Sequence, residues 1–360
     1  MRVVIFTHSL ISDWNHGNAH FLRGIAREFI TRGHEVHILE PDNGWSLRNL
    51  ISDCGTAAVE SFYRAFPDLR SQFYELESLD LDRELHGAEL VIVHEWNAPE
   101  LVRRCGDYRA RTPGTALLFH DTHHRSLTDA GAMRQYDLRH YDGVLAYGGV
   151  IRDIYREQAW ARRAWTWHEA ADTRIFHPKR DKPEGDLVWI GNWGDDERTA
   201  ELQEYLIGPV KALGLKARVY GVRYPAEALR QLAEAGIEYG GWLPNYRVPE
   251  IFARYRVTVH VPRRPYAGAL PGIPTIRVFE ALACGIPLVS APWSDCEGLF
   301  TPGKDYLLAR DGAEMTDHLR SVLCSAALAQ DMAAHGLATI RARHSCSHRV
   351  DELLKIHASL

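Results

Sequence analysis

The stretch Pro274-Thr275-Ile276-Arg277-Val278-Phe279-Glu280-Ala281-Leu282-Ala283-Cys284-Gly285-Ile286-Pro287-Leu288-Val289-Ser290 decides the fold. Proline is well placed at a first helical position and glycine at a helix C-cap, so a helix of about three turns is expected from Pro274 to Cys284. The apolar run after Pro287 then reads as a strand. A helix N-terminus presents unpaired N–H groups and the positive end of the helix dipole, a natural seat for a diphosphate. Glu280 lies inside this helix among apolar neighbours, where a carboxylate needs partners. A ribose diol would supply two donors; a basic side chain in a purely structural helix would serve equally.

Outward from this unit the same alternation recurs in both directions. Val3 to Thr7 reads as a buried strand, and Asn18 to Arg32 carries an apolar stripe at 21, 22, 25, 26, 29 and 30. Gly33 stops that helix and Val36 to Leu39 forms the next strand. Further strands are expected at 89–93, 115–119 and 143–147. The stretch 41–75 fits the alternation poorly, with a helix at 56–65. Two prolines, a glycine and mixed charge at 177–186 mark a linker. Beyond it strands are expected at 186–190, 217–221, 257–261 and 287–290. Helices are expected at 198–207, 225–235, 247–254, 274–284 and 312–334, with a last one at 346–358. Alternation of this kind implies βαβ units and parallel sheets covered on both faces. The expected organisation is an α/β first domain over 1–176, a second over 183–345, and a C-terminal helix in 346–360 packing back toward the first domain. Ligands of such sheets bind at the carboxyl ends of the strands, so a cleft between the two is expected.

Composition sets the outer limits. A chain of 360 residues suits two domains, and 46% hydrophobic with 25% charged residues is ordinary globular usage. A net charge of −5 leaves no global basic field for nucleic acid or an anionic membrane, so any phosphate site must be a local pocket. The six cysteines form no C-x-x-C pair and fit a reducing compartment, so a cytoplasmic location is expected. The first strand is too short for a signal-peptide core, and no stretch approaches a membrane span.

Other clusters carry chemistry. Phe119-His120-Asp121-Thr122-His123-His124 follows the strand 115–119, at the end where ligands bind. Histidine and aspartate are also metal-binding types, but no second ligand cluster stands out. Ser12-Asp13-Trp14-Asn15-His16-Gly17-Asn18 joins the first strand to the first helix. Gly17 permits close approach to a phosphate or an acceptor; Asn15 or Asn18 suits a helix cap. This loop lacks the G-x-G-x-x-G fingerprint of dinucleotide enzymes. His94-Glu95-Trp96-Asn97 follows the strand 89–93. The segment Arg152 to Trp167 is rich in arginine and tryptophan, as suits a membrane-surface or acceptor-binding face or an interdomain helix with snorkelling arginines.

Val278 to Val289 resembles the donor-site helix of GT-B-fold glycosyltransferases, closest to the family-four-like group that includes CgeB-type spore maturation proteins. Val188-Trp189-Ile190-Gly191-Asn192-Trp193 resembles the first strand and glycine loop of that group's donor domain. Gly241-Trp242-Leu243-Pro244 resembles its base-contacting stretch, and Ala170 to Pro178 its crossover. Gly17 to His20 followed by Arg32 to Val36 resembles its opening βαβ. The resemblance spans nearly the whole chain. It implies a GT-B architecture, two Rossmann-like domains facing a cleft, and transfer of a hexose-type sugar from a nucleotide diphosphate sugar, by default a UDP-sugar, to an acceptor hydroxyl. It also implies that no cofactor or metal is needed. Glu280 would bind the donor ribose. The N–H groups around Thr275 and Ile276, with Arg277, would bind the diphosphate, alongside Gly191, Asn192 and a neutralising Arg198. Trp242 and Leu243 would hold the base. His120 would shuttle a proton, with Asp121 as its orienter or as a ligand of the acceptor hydroxyl, and Asp13 or His16 would be the base if the enzyme inverts. The group usually carries a second Glu, touching the donor sugar, eight positions before the ribose-binding one; Gly272 stands there instead. The same fold also hosts nucleotide-sugar 2-epimerases and non-catalytic sugar- or nucleotide-binding proteins. The expected partners are the nucleotide sugar and an acceptor, without nucleic acid or a transmembrane segment.

Overall fold

The computed structural model describes every residue except Asn43, and every side chain except those of Asn43 and Asp195. Contacts divide the chain into Met1–Glu169 with Cys346–Leu360, and Ala170–Ser345. Residues 178–184, inside the proline-containing linker, form no regular element.

The first unit is built on seven parallel strands: β1 (Arg2–Phe6), β2 (Glu35–Pro41), β3 (Ser71–Tyr74), β4 (Leu90–His94), β5 (Ala116–Asp121), β6 (Gly143–Ala146) and β7 (Ala164–Thr166). Their order is β3-β2-β1-β4-β5-β6-β7. All five residues of β4 are buried, which is why it reads as an unbroken apolar run rather than an alternating one. The helix Ala19–Thr31 packs its Phe21, Ile25 and Phe29 inward. The last helix, Cys346–Ala358, belongs to this unit: Asp351 accepts from Arg32 Nη1 at 2.6 Å, and Arg349 O accepts from the buried Trp167 Nε1 at 2.8 Å.

The second unit has six parallel strands: β8 (Gly185–Ile190), β9 (Ala217–Tyr220), β10 (Ile237–Tyr239), β11 (Tyr255–His260), β12 (Leu288–Ser290) and β13 (Leu307–Leu308). Their order, β10-β9-β8-β11-β12-β13, repeats the first six strands of the first unit. In both sheets the chain winds outward one way, then jumps back past its first strand. The jump opens a crevice at the carboxyl ends, between β1 and β4 in one sheet and between β8 and β11 in the other.

Several boundaries differ from the sequence expectation. The helix expected from Pro274 begins at Ile276, because Thr275 has an extended backbone (ψ 161°) and occupies the N-cap; Gly285 does cap the C-terminus at φ 65°. The single helix expected over 312–334 is two, Gly312–Cys324 and Ala326–Arg343. Ser325 is extended between them, and its hydroxyl accepts from Leu328 N. The helix expected at 198–207 opens as Thr199–Leu202, widens to a π-helical turn over Gln203–Ile207 and resumes as Gly208–Leu213. Pro209, which has no N–H to give an α-type ladder, follows that turn. Within 41–75 lie helices Trp45–Cys54 and Ala57–Ala65 as well as β3; Asn43 lies outside the described residues.

Candidate functional site

In the second unit the crevice is lined by the ends of β8 and β11. Gly191 and Asn192 follow β8. Tyr224 OH donates to Gly191 O at 2.7 Å, and Asn192 Oδ1 accepts from Val222 N at 2.9 Å. A Cβ on Gly221 would lie 2.1 Å from Gly191 O, so the turns after β8 and β9 meet backbone to backbone. Arg198 spans the crevice. It donates to Asn192 O at 2.5 Å and Trp193 O at 3.3 Å on the β8 side, and to Val261 O at 2.9 Å on the β11 side. Its guanidinium lies 5.2 Å from the Trp189 ring centroid. No described carboxylate pairs with it. Burial, then Arg263 and Arg277, push its pKa down to about 9, so it remains charged at neutral pH with no ion-pair partner among the described residues. Arg263 pairs with Glu197 at 3.1 Å and Arg277 with Glu280.

The helix Ile276–Cys284 aims its start at this region. Thr275 makes no side-chain cap; its hydroxyl bonds His260 Nε2 at 3.1 Å, and His260 Nδ1 bonds Ser290 Oγ at 2.9 Å. Burial, reinforced by Arg198, holds His260 down to about 3, so it is neutral. The first helical turn is thus left without a side-chain acceptor. Glu280 is fully buried: Oε1 accepts from Asn245 Nδ2 at 2.6 Å and Oε2 from Arg277. Of the two partners weighed for it from sequence, the basic side chain is present. Trp242 and Leu243 are half-buried in the segment between β10 and the turn Asn245–Arg247. Gly272 adopts φ +83° and donates to Ser294 O at 2.6 Å. A Cβ there would sit 2.6 Å from Glu297 Oε1, so a carboxylate from a different loop occupies the space that a side chain at 272 would fill.

In the first unit the β1 loop is fastened from below. Ser9 Oγ donates to Glu40 Oε2 at 2.9 Å, while Arg23 donates to Leu10 O at 2.7 Å and Ile11 O at 2.8 Å. Asp13 pairs with Arg23 at 3.0 Å, both side chains nearly inaccessible. Asp13, one of the two residues expected as base if the enzyme inverts, is therefore held in an ion pair with a buried guanidinium. Gly17 is exposed on the turn before the first helix. Asn18 makes no side-chain cap either; its amide reaches Thr122 instead.

Four buried imidazoles cross the crevice of this sheet. His8 and His16 ring centroids are 4.9 Å apart, His16 and His94 6.1 Å, His94 and His120 5.2 Å. His120 packs on Trp167 at 4.9 Å. Among the described residues, His8 Nε2, His16 Nε2, His94 Nδ1 and both nitrogens of His120 have no hydrogen-bond partner. Burial lowers His8 to about 4 and His120 to about 3, and holds His16 and His94 well below the ordinary range, so all four are neutral. Asp121 does not orient His120 as expected. It accepts from Tyr155 OH at 2.9 Å and His123 N at 3.1 Å, and burial beside Glu95 pushes its carboxyl upward. Glu95 in turn pairs with Arg125 at 3.0 Å. Among the described residues no three His, Cys, Asp or Glu side chains group to hold a metal, and no helix is long and apolar enough to cross a membrane.

Residues 198–355 match the glycosyl transferase-like family. No curated protein matches the chain in sequence. Solved structures do. Anabaena HepE in complex with UDP and glucose aligns over 100% of both chains at TM-score 0.70 and 14% identity. An alpha-glucosyltransferase in complex with UDP-glucose and DNA containing an abasic site aligns over 99% of both at TM-score 0.72 and 13% identity. Sucrose-phosphate synthase from Thermosynechococcus elongatus aligns over 100% of this chain and 98% of its own at TM-score 0.67 and 12% identity.

The fold is GT-B. Both Rossmann-like sheets of that fold are present, each with its own crevice. Of the residues that line the two crevices or brace their loops, Arg198, Arg277 and Glu280 are among those named from the sequence; Asn245, His260, Arg263 and Glu297 in the second unit, and His8, Arg23 and Glu40 in the first, are not. A usable signal existed for two of them: His8 and His260 sit at or just beyond the carboxyl ends of β1 and β11, the strands that flank a crevice.

Proposed function

We propose that this chain transfers a glycosyl group from a nucleotide diphosphate sugar, with UDP as the nucleotide, to an acceptor hydroxyl. The observation that carries this is Arg198: a buried, charged guanidinium across the β8/β11 crevice with no described carboxylate to balance it, beside an uncapped helix start. An anion with several oxygens satisfies both at once. In the transfer, the bond from the anomeric carbon to the diphosphate oxygen breaks and the nucleotide leaves as an anion, whose charge Arg198 and Arg277 would hold. The acceptor oxygen forms the new bond, and its proton goes to a neutral imidazole; His120 and His16 are the candidates. Glu280, steadied by Asn245, is the ribose ligand in this scheme, and the Trp242–Leu243 segment holds the base. No cofactor or metal is assigned, because the arginines supply the positive charge at the leaving group. UDP appears in the names of the HepE and alpha-glucosyltransferase complexes, which supports the choice of nucleotide. The six cysteines form no disulfide among the described residues, which supports a reducing, cytoplasmic setting.

Ligand binding to the folded state raises the melting temperature by mass action. UDP at millimolar concentration is expected to raise the wild-type melting temperature and to leave Glu280→Ala unmoved, with GDP, TDP and ADP giving smaller shifts. No shift with any nucleotide would sink the donor assignment. A shift without turnover of UDP-glucose, with water or sugars as acceptor, would make the protein a nucleotide-binding component instead.

A further inference from the structure

On the first unit, the segment after β5 and the turn before β7 enclose an open pocket of about 430 Å³, within the size range of small-molecule sites. Its walls carry three arginines, Arg134, Arg139 and Arg162, against one carboxylate, Asp137. That carboxylate is spent: Arg139 holds it at 2.9 Å and 2.6 Å. Arg134 and Arg162 are exposed and have no ion-pair partner among the described residues. The Arg134 guanidinium stands 5.8 Å from the Trp160 ring centroid, leaning on the indole rather than on an acid. Trp160 is half-buried with its ring edge-on to Tyr155 at 5.7 Å. Ala159, just before it, is held at φ +52°, a conformation unfavourable for alanine that sets the indole at the pocket wall. Leu138 and Ala161 complete an apolar side.

We propose that this pocket binds a phosphate-bearing ligand with an apolar body, the phosphate between Arg134 and Arg162 and the body against Trp160 and Leu138. Two unpaired guanidiniums match phosphate oxygens in charge and fork geometry. The indole and leucine leave room for carbon rather than for a second charged group. This inference is independent of the donor assignment, which concerns the second unit. Phosphate of this kind comes from a soluble phosphomonoester or from a glycerophospholipid headgroup, and the two are separable.

The test uses the full chain in two arms. One titrates phenyl phosphate by calorimetry; the other floats the protein with vesicles of phosphatidylglycerol or of phosphatidylcholine. Saturable binding of phenyl phosphate establishes a soluble ligand. Flotation with phosphatidylglycerol and not phosphatidylcholine, without calorimetric binding, establishes a lipid headgroup. In either case Arg134→Gln/Arg162→Gln is expected to weaken binding about thirtyfold. A charge-matched control, Arg180→Gln/Arg341→Gln, should leave it within about twofold. Both pairs are exposed, so an unchanged melting temperature confirms folding. Absence of binding in both arms overturns the proposal, as does binding that survives the pocket variant or falls equally in the control.

Discussion

The two sheets of this protein share one strand order and open their crevices at the same topological point, yet the crevices are electrostatic opposites. Between β8 and β11 stands Arg198, charged and unbalanced. Between β1 and β4 stand His8, His16, His94 and His120, all held neutral, while nearby charges cancel in pairs, Asp13 with Arg23 and Glu95 with Arg125. Topology therefore fixes where a ligand would sit, and a handful of side chains decide whether that place accepts an anion or a hydroxyl.

The contrast can be broken most severely at Arg198. Arg198→Ala should lower kcat/KM with UDP-glucose by about 10²- to 10³-fold, because the leaving group loses its buried counter-charge, and weaken UDP binding measured by calorimetry. A variant that binds UDP normally would remove Arg198 from the phosphate site. The neutral crevice is tested with acid. His8 is held at about 4 and His120 at about 3 against 6.5 in the unfolded chain, so the unfolded state takes up protons first. Their contribution to stability is complete above pH 6.5 and is lost as pH falls toward 4. The buried carboxyls of Glu40, Glu95 and Asp121 are raised and act in the opposite sense, so a variant isolates the imidazole share. His8→Phe should flatten the acid limb of a urea-midpoint profile between pH 6.5 and 4 by roughly 3 kcal/mol. A profile parallel to wild type would show that His8 is not buried in the neutral form. The smallest effect is expected at Gly272. Gly272→Ala must hold alanine at φ +83° and press Cβ on Glu297, which should cost about 1–2 kcal/mol. Adding Glu297→Ser should restore part of the lost melting temperature; no recovery would mean that backbone strain alone is responsible.

What could be read from the sequence follows the same physical lines. The central strands β1, β2, β4, β5, β6, β8, β9, β11 and β12 announced themselves because burial on both faces demands unbroken apolar runs. The missed ones, β3, β7, β10 and β13, are the edges of the two sheets. Ser71-Gln72-Phe73-Tyr74 buries only Tyr74, and Ile237-Glu238-Tyr239 only Ile237, so neither shows a core signal. In the second unit, Arg277 and Glu280 were legible because helix spacing, three positions apart, brings them together. Asn245 lies 35 residues from Glu280 and Arg263 lies 66 from Glu197; only the folded chain pairs them. The Asp121–His120 pairing failed for a local reason. Adjacent strand residues point to opposite faces of the sheet, so the carboxylate met Tyr155 and the imidazole met Trp167.

The second unit enters and leaves side by side: Ala171 bridges to Ser345, and Ala171 N donates to His344 O at 3.0 Å. In chain order it is an insertion, complete before the residues that finish the first unit have been made. Trp167 and His168 await Arg349, whose carbonyl and guanidinium they bind at 2.8 Å and 2.9 Å. On the ribosome the later-encoded module therefore has all of its residues before the earlier one does. Because its ends meet, Ala170–Ser345 is also a cassette that can be lifted out or exchanged with its two junctions left in register.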